Sequence, residues 1–448
     1  MKQAIDREGR LDVRQFLDEQ AFGRYHLLIV AMCASIVFMD GFDAQAMGYV
    51  APALTASLRI TRAALGPAIS SGLVGMMIGA LIFGPLADKF GRRPVLVACT
   101  FIFGVGALLT ATAASVQSLM LFRVFTGFGL GGAMPNTIAL TSEYMPRRSR
   151  ATSVMVMFTG FSIGAAVGGL VAAGFIARFG WKSIFVVGGV LPLFIGVLAI
   201  FVLPESIRFL VLQGGQEKRV GNFLARIAPQ RTFGADTAYE VGEDTHGGKS
   251  PVRQLFTEGR TPVTLLIWVM FFMNLLNLYF LNSWLPTVMN DVGIPVQTAI
   301  LITTLFQIGG AVGAVLLGRI LDRKLSFGVL AATYLSAGVF ILLIGEAGAS
   351  VPFLILTVFL SGFCVVGGQT SSNALTSEYY PTHFRATGVG WALGIGRIGS
   401  IIGPTLGGYL LAGGTPIRTV FWAAAVPPVI ATIAAFTVAT MRKKELAQ

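Results

Sequence analysis

TSEYMPRRSRAT, running from Thr141 to Thr152, returns as TSEYYPTHFRAT from Thr376 to Thr387, 235 residues later. A weaker pair, GPLAD (Gly84 to Asp88) and GRILD (Gly318 to Asp322), is separated by 234. Two matches at almost the same offset mark an internal duplication. The flanking sequence says what was duplicated. Long apolar runs separate these short charged segments, and a run of about 20 such residues crosses a bilayer as a helix. Twelve fit the chain, near 25–50, 66–87, 95–115, 119–142, 152–177, 183–203, 262–287, 297–320, 326–345, 351–375, 386–412 and 417–440. Each copy then holds six spans. Parallel six-helix halves are a transporter architecture, in which one half rocks against the other around a site between them.

Composition agrees. Of 448 residues, 54% are apolar and only 12% charged, against about a quarter charged in a soluble domain. The mean hydropathy is +0.74. A disordered chain is excluded by the apolar content, and a disulfide scaffold by the count of three cysteines. Cys33, Cys99 and Cys364 all lie in apolar runs and read as small core residues. The net charge of +12 does not indicate nucleic acid, because the basic residues sit in short clusters between spans. With the termini and even-numbered loops placed in the cytoplasm, 26 of the 33 Lys and Arg fall there, and five (Arg59, Arg62, Arg178, Lys182, Arg418) fall outside. That bias orients both termini inward across a bacterial-type inner membrane. Residues 1–24 read as a cytoplasmic segment rather than a cleaved signal. The organisation is thus 25–203 and 262–441 as six-helix bundles, 204–261 as a flexible cytoplasmic linker with two short helical patterns ahead of a Gly- and charge-rich tract, and 442–448 as a tail.

The loop after the second span, GPLADKFGRRP (Gly84 to Pro94), resembles the signature loop of the major facilitator superfamily at Gly84, Leu86, Asp88, Lys89, Gly91, Arg92 and Arg93. The second copy, GRILDRK (Gly318 to Lys324), keeps the Gly, Asp322 and the basic pair but loses the later Gly-Arg-Arg. PESIRFL after the sixth span is also similar to a recurring superfamily segment. The resemblance implies an all-α membrane protein of twelve transmembrane helices in two pseudo-symmetric halves, monomeric and without cofactors. FMDGFDAQAMGYVAPAL (Phe38 to Leu54), FRATGVGW (Phe384 to Trp391) and LGIGRIG (Leu393 to Gly399) narrow it. They resemble the aromatic acid:proton symporters of that superfamily, of the 4-hydroxybenzoate/protocatechuate kind. The partners so implied are a small aromatic carboxylate, a proton and membrane lipid.

The residues themselves carry the chemistry. Asp40 and Asp43 are three apart on one helix face, deep in the first span. Intramembrane acids are by default pathway or proton-relay groups, and two close together cannot both ionise cheaply. At 1.5 Å per residue, Asp43 lies about 24 Å from the cytoplasmic edge of a core about 30 Å thick. Arg123 of the fourth span lies about 6 Å in from the outer edge, at similar depth. A cluster of Asp40, Asp43 and Arg123 is expected, the acids for proton coupling and the Arg as the fixed charge. Arg397, about 16 Å deep in the eleventh span, has no acid in its own span and is expected to pair with a substrate carboxylate. Arg123, Asn274, Asn277, Gln307, Gln369, Asn373 and Trp391 are expected to bind the substrate with it. Gating is assigned to Gly84, Asp88, Gly91, Arg92, Arg93 and Glu143, with Asp322, Glu378 and Arg385 at repeat-related positions. Asp88 is expected to accept from a helix N-terminus and from Arg92 or Arg93.

Other functions find no residues. No Gly-Lys-Ser/Thr phosphate loop is present, the three His (His26, His246, His383) are scattered, and no nucleophile–His–acid set can be assembled, so an enzyme is not expected. A proton-coupled efflux antiporter is the first alternative. Efflux members usually resemble G-x-x-x-G-P-x-x-G-G in the fifth span, where this chain reads GFSIGAAVGG without proline. An importer of another organic acid and a non-transporting membrane chemoreceptor complete the alternatives.

Overall fold

The computed structural model describes residues 11–231, 233, 237–240, 251–323, 326–381 and 385–445. A short strand β1 (Leu11–Asp12) leads into α1 (Val13–Glu19). The first bundle follows: α2 (Arg24–Leu58), α3 (Arg62–Phe90), α4 (Arg92–Ala111), α5 (Val116–Tyr144), α6 (Arg150–Phe179) and α7 (Lys182–Val202). The connection holds α8 (Ile207–Gln213), α9 (Glu217–Ile227), strand β2 (Tyr239–Glu240) and α10 (Pro251–Gln254). The second bundle is α11 (Thr261–Asp291), α12 (Val296–Arg323), α13 (Phe327–Glu346), α14 (Val351–Tyr379), α15 (Arg385–Ala412) and α16 (Ile417–Glu445).

The twelve long helices stand where the apolar runs predict them. Short hydroxyl-bearing residues start several: Thr61 accepts from Ala64 N–H, Ser115 from Ser118 and Ser326 from Gly328. Most run past the apolar cores of the runs, as α2 does with 35 residues. Among the described residues, ten of the twelve are long and apolar enough to cross a membrane by composition alone. The other two, α5 and α15, carry Arg123 and Arg397 on glycine-rich stretches. Their hydropathy is lower because each carries an Arg, Arg123 buried and Arg397 half-buried.

The duplication is visible in the packing. In the first bundle α2 lies on α6, α3 on α5, and α4 on α7; in the second, α11 lies on α15, α12 on α14, and α13 on α16. Arg150 donates to Met145 O at 3.2 Å, and 235 residues on Arg385 donates to Tyr380 O at 3.4 Å.

The halves meet through α3 with α15, α12 with α6, and α2 with α11. One apolar cluster draws on both, from Tyr49, Leu54 and Leu65 to Trp284, Ile300 and Phe421. It sits at the end carrying the α2–α3, α11–α12 and α15–α16 loops. Toward the other end, two clusters draw on one half each. The bundle is closed at one end and parted at the end that carries the linker.

The linker differs from the flexible segment predicted. Within the described residues, Ile207, Leu210, Val220 and Leu224 are buried in the first half's cluster. β2 pairs with β1 in parallel, Leu11 opposite Tyr239, and Phe16 meets Phe233 edge to face. Arg150 forms an ion pair with Asp18. Buried apolar faces on its short helices, visible in sequence as two short helical patterns, hold this stretch against the bundle.

Candidate functional site

Two buried charges of α2 and α5 find each other. Arg123 donates two hydrogen bonds to the carboxylate of Asp43, both at 2.7 Å. Asp43 is 3% and Arg123 5% exposed, so the pair is removed from water, and its two-pronged geometry offsets that desolvation. The Arg123 guanidinium also lies over the Phe185 ring. Gly72 of α3 leaves it room, because a Cβ there would stand 3.2 Å from Nη2. Gly41, between the two acids, lets α6 approach α2; a Cβ would collide with the Phe161 carbonyl.

Asp40 behaves differently. It is as buried as Asp43, yet its Oδ1 has no hydrogen-bond partner. The charges within electrostatic reach are Asp43 and, from the other half, Arg397. Arg397 is half-buried. Its Nη1 donates to the Tyr279 hydroxyl at 3.3 Å and lies 3.6 Å from Met76 Sδ of α3. Among the described residues no carboxylate is within ion-pair distance of it. The expected cluster is thus resolved into a closed pair, Asp43 with Arg123, and a separate Asp40, whose Oδ1 has no hydrogen-bond partner and which lies within electrostatic reach of Arg397 from the other half. Arg123, expected also to bind substrate, is taken up by Asp43.

The amides separate likewise. Asn274 donates to Gln369 Oε1 at 2.8 Å and to Val365 O at 3.2 Å, and Gln369 reaches Asn373 Oδ1 at 3.4 Å. This chain joins α11 to α14 within the second half. Gln307 donates to Asn282 Oδ1 at 3.0 Å, a buried brace between α11 and α12. Asn277 is 1% exposed with neither amide atom satisfied. Gln45, fully buried on α2, is unsatisfied at both atoms as well. Trp391 is 43% exposed and stacks on Trp268. Six residues from Arg397, it lies about 9 Å along the helix, toward the open end.

The signature loop forms a compact ionic knot in the first half. Gly91 turns the chain between α3 and α4 at φ +98°. Arg92 pairs with Glu143 at 2.6 Å, while the Arg93 side chain donates to Ile200 O. The backbone N–H groups of Arg92 and Arg93 donate to Glu205 Oε1 at 2.8 and 3.2 Å. Glu205, in PESIRFL, therefore holds the helix N-terminus assigned to Asp88 by the sequence reading. Asp88 is exposed and makes no hydrogen bond among the described residues. Gly84 faces open space. In the second half Glu378 is exposed, because the copy that lost Gly-Arg-Arg supplies no equivalent of Arg92. The side chain of Asp322 lies outside the described residues.

A profile of the Major Facilitator Superfamily matches residues 33–287 and 267–447. The chain belongs to the major facilitator superfamily. Its functional class is that of a multi-pass membrane transporter, not an enzyme. The chain is 43% identical over 425 residues to the 4-hydroxybenzoate transporter PcaK of Pseudomonas aeruginosa, covering 95% of each. It is 41% identical to a gallate transporter of Pseudomonas putida, again over 95% of each. The xylose transporter XylE of E. coli, in a partially occluded inward open conformation, shares the fold with a TM-score of 0.70 at 16% identity, over 92% of this chain and 97% of that one.

Sequence reasoning missed three groups in this transporter. Gln45 gives no local signal among the small residues of α2. Glu205 is visible in PESIRFL, but its reach to α4 is a tertiary fact. Arg62 and Asp291 form an ion pair of 2.5 Å between the halves at the closed end; each looks like an ordinary loop charge.

Proposed function

We propose that this transporter imports an aromatic carboxylate of the 4-hydroxybenzoate type together with one or more protons. It works as a monomer in the inner membrane, with both termini cytoplasmic. The observation that carries the reading is Arg397, a cation between the halves that donates to Tyr279, lies within electrostatic reach of Asp40 and has no carboxylate within ion-pair distance among the described residues. Such a cation is completed by a travelling anion. The unsatisfied amides of Gln45 and Asn277 add polar contacts for ring substituents, since buried polar groups without partners are costly unless a ligand or water meets them. Relatives named as 4-hydroxybenzoate and gallate transporters support the substrate class.

Asp40 supplies the coupling. Ionised, it competes for Arg397; protonated, it leaves the guanidinium to the substrate. A proton and a mono-anion therefore enter together, and release of one favours release of the other. One proton per mono-anion is electroneutral; each further proton would draw about 2.3 kcal/mol per 100 mV from the membrane potential. By the distribution of basic residues the open end is cytoplasmic, so this is an inward-facing state. Closure there brings Asp88 toward the second half, and the Arg92–Glu143–Glu205 knot moves with it as a rigid piece. Uptake of labelled 4-hydroxybenzoate in cells is expected to fall to background with a protonophore and in Arg397→Ala. Uptake that survives proton collapse contradicts the coupling.

A further inference from the structure

A groove of about 590 Å3 lies where the first turns of α4 meet the end of α7 and the α8–α9 pair. Lys89, Arg93 and Arg219 line it together with the apolar Phe90, Val97 and Ile200. None of the three cations has a carboxylate within ion-pair distance among the described residues. Arg93 donates to a backbone carbonyl, Arg219 reaches Gln216 Oε1 at 3.2 Å, and Lys89 lies over the Phe90 ring. The one carboxylate in the lining, Glu205, is buried and held by the N–H groups of Arg92, Arg93 and Ser206. Asp88 and Glu217 stand nearby; Asp88 opens into the adjoining hollow, and Glu217 accepts from Gly215 N–H. The groove is therefore net cationic.

Its apolar wall says which anion fits. Phe90 in the lining is 55% exposed, and outside the lining Phe201 at the end of α7 is 79% and Leu212 of α8 is 70% exposed. Exposed large apolar side chains beside exposed cations, at the end of two membrane-spanning helices, place the groove at the level of lipid headgroups. A soluble anion would use the cations and leave that wall in water. A molecule with a phosphate at one end and hydrocarbon at the other uses both. We propose that this groove binds an anionic phospholipid, its phosphate held by Lys89, Arg93 and Arg219 and its acyl chains lying along α4 and α7. Basic pockets between spans on the cytoplasmic side suit such headgroups.

The test is thermal unfolding of the purified full chain in nanodiscs of phosphatidylglycerol or of phosphatidylcholine. It compares wild type with a Lys89→Gln/Arg219→Gln double variant, both side chains being exposed. Wild type is expected to melt higher in phosphatidylglycerol, as ligand-linked stability requires. The variant is expected to lose most of that difference while melting like wild type in phosphatidylcholine. Native mass spectrometry is expected to show fewer phosphatidylglycerol molecules retained by the variant. An unchanged lipid difference with unchanged retention overturns the site. Inorganic phosphate, added to protein in phosphatidylcholine, is expected to leave the melting point alone; if it reproduces the shift, the site takes a soluble anion and the lipid assignment falls.

Discussion

Asp40 and Asp43 sit one turn apart with the same burial, and their partners decide what each can do. Asp43 is satisfied by both prongs of Arg123. Asp43→Asn leaves Arg123 charged and buried, a loss of about 3–5 kcal/mol, so a markedly lower melting temperature is expected along with lost uptake. Asp40→Asn removes a carboxylate with no hydrogen bond on Oδ1; its melting temperature is expected to stay near wild type while proton-driven uptake disappears. If Asp40→Asn melts as low as Asp43→Asn, the division of labour is wrong. The shared depth of Asp43 and Arg123 was readable, because helical rise converts residue number into depth. Their exclusive pairing was not, since it depends on Gly72 leaving the guanidinium its place.

Helices α3 and α15 touch along their closed-end halves and part toward the other end. Ser70 donates to Ile401 O at 2.6 Å. Gly66 and Gly408 bring the backbones together, a Cβ on Gly408 standing 2.6 Å from Arg62 O. The Arg62–Asp291 pair bridges the halves just beyond. Its side chains are 34% and 22% exposed, so it contributes up to about 1 kcal/mol, a several-fold bias between two states. Arg62→Asp or Asp291→Arg is expected to raise labelling of a Ser70→Cys variant by an impermeant thiol reagent added outside; the double swap is expected to restore protection. Equal labelling in all three contradicts a role in closure. Glu205 works at the same scale. Glu205→Ala strips the first turn of α4 of its acceptor, about 1–2 kcal/mol by analogy with lost caps, whereas Asp88→Ala is expected to leave the melting temperature unchanged. Spans and loops were legible from apolar length alone. Which carboxylate reaches α4 was not: Asp88 is close in sequence, and Glu205 arrives from the far end of α7.

The whole molecule is a duplication whose halves have divided the chemistry. At the 234-residue offset of the α2–α3 region, Asp40 and Asp43 correspond to Asn274 and Asn277; at the 235-residue offset of the α5–α6 region, Arg123 corresponds to Val358 and Ser162 to Arg397. The two buried acids lie in one half and Arg397, without a carboxylate in ion-pair distance among the described residues, in the other. The repeat made this architecture readable, and two short helical patterns in the linker were readable too; that these helices pack on the first half was not, because their burial is a tertiary fact. The central claim is that Arg397 holds the substrate carboxylate. The most direct measurement is calorimetric binding of 4-hydroxybenzoate and of its neutral analogue 4-hydroxybenzyl alcohol to purified wild type and Arg397→Ala. Wild type is expected to bind the acid far more tightly than the alcohol, and the variant to bind both alike and weakly. An Arg397→Ala protein that still prefers the acid by the wild-type margin would contradict the account.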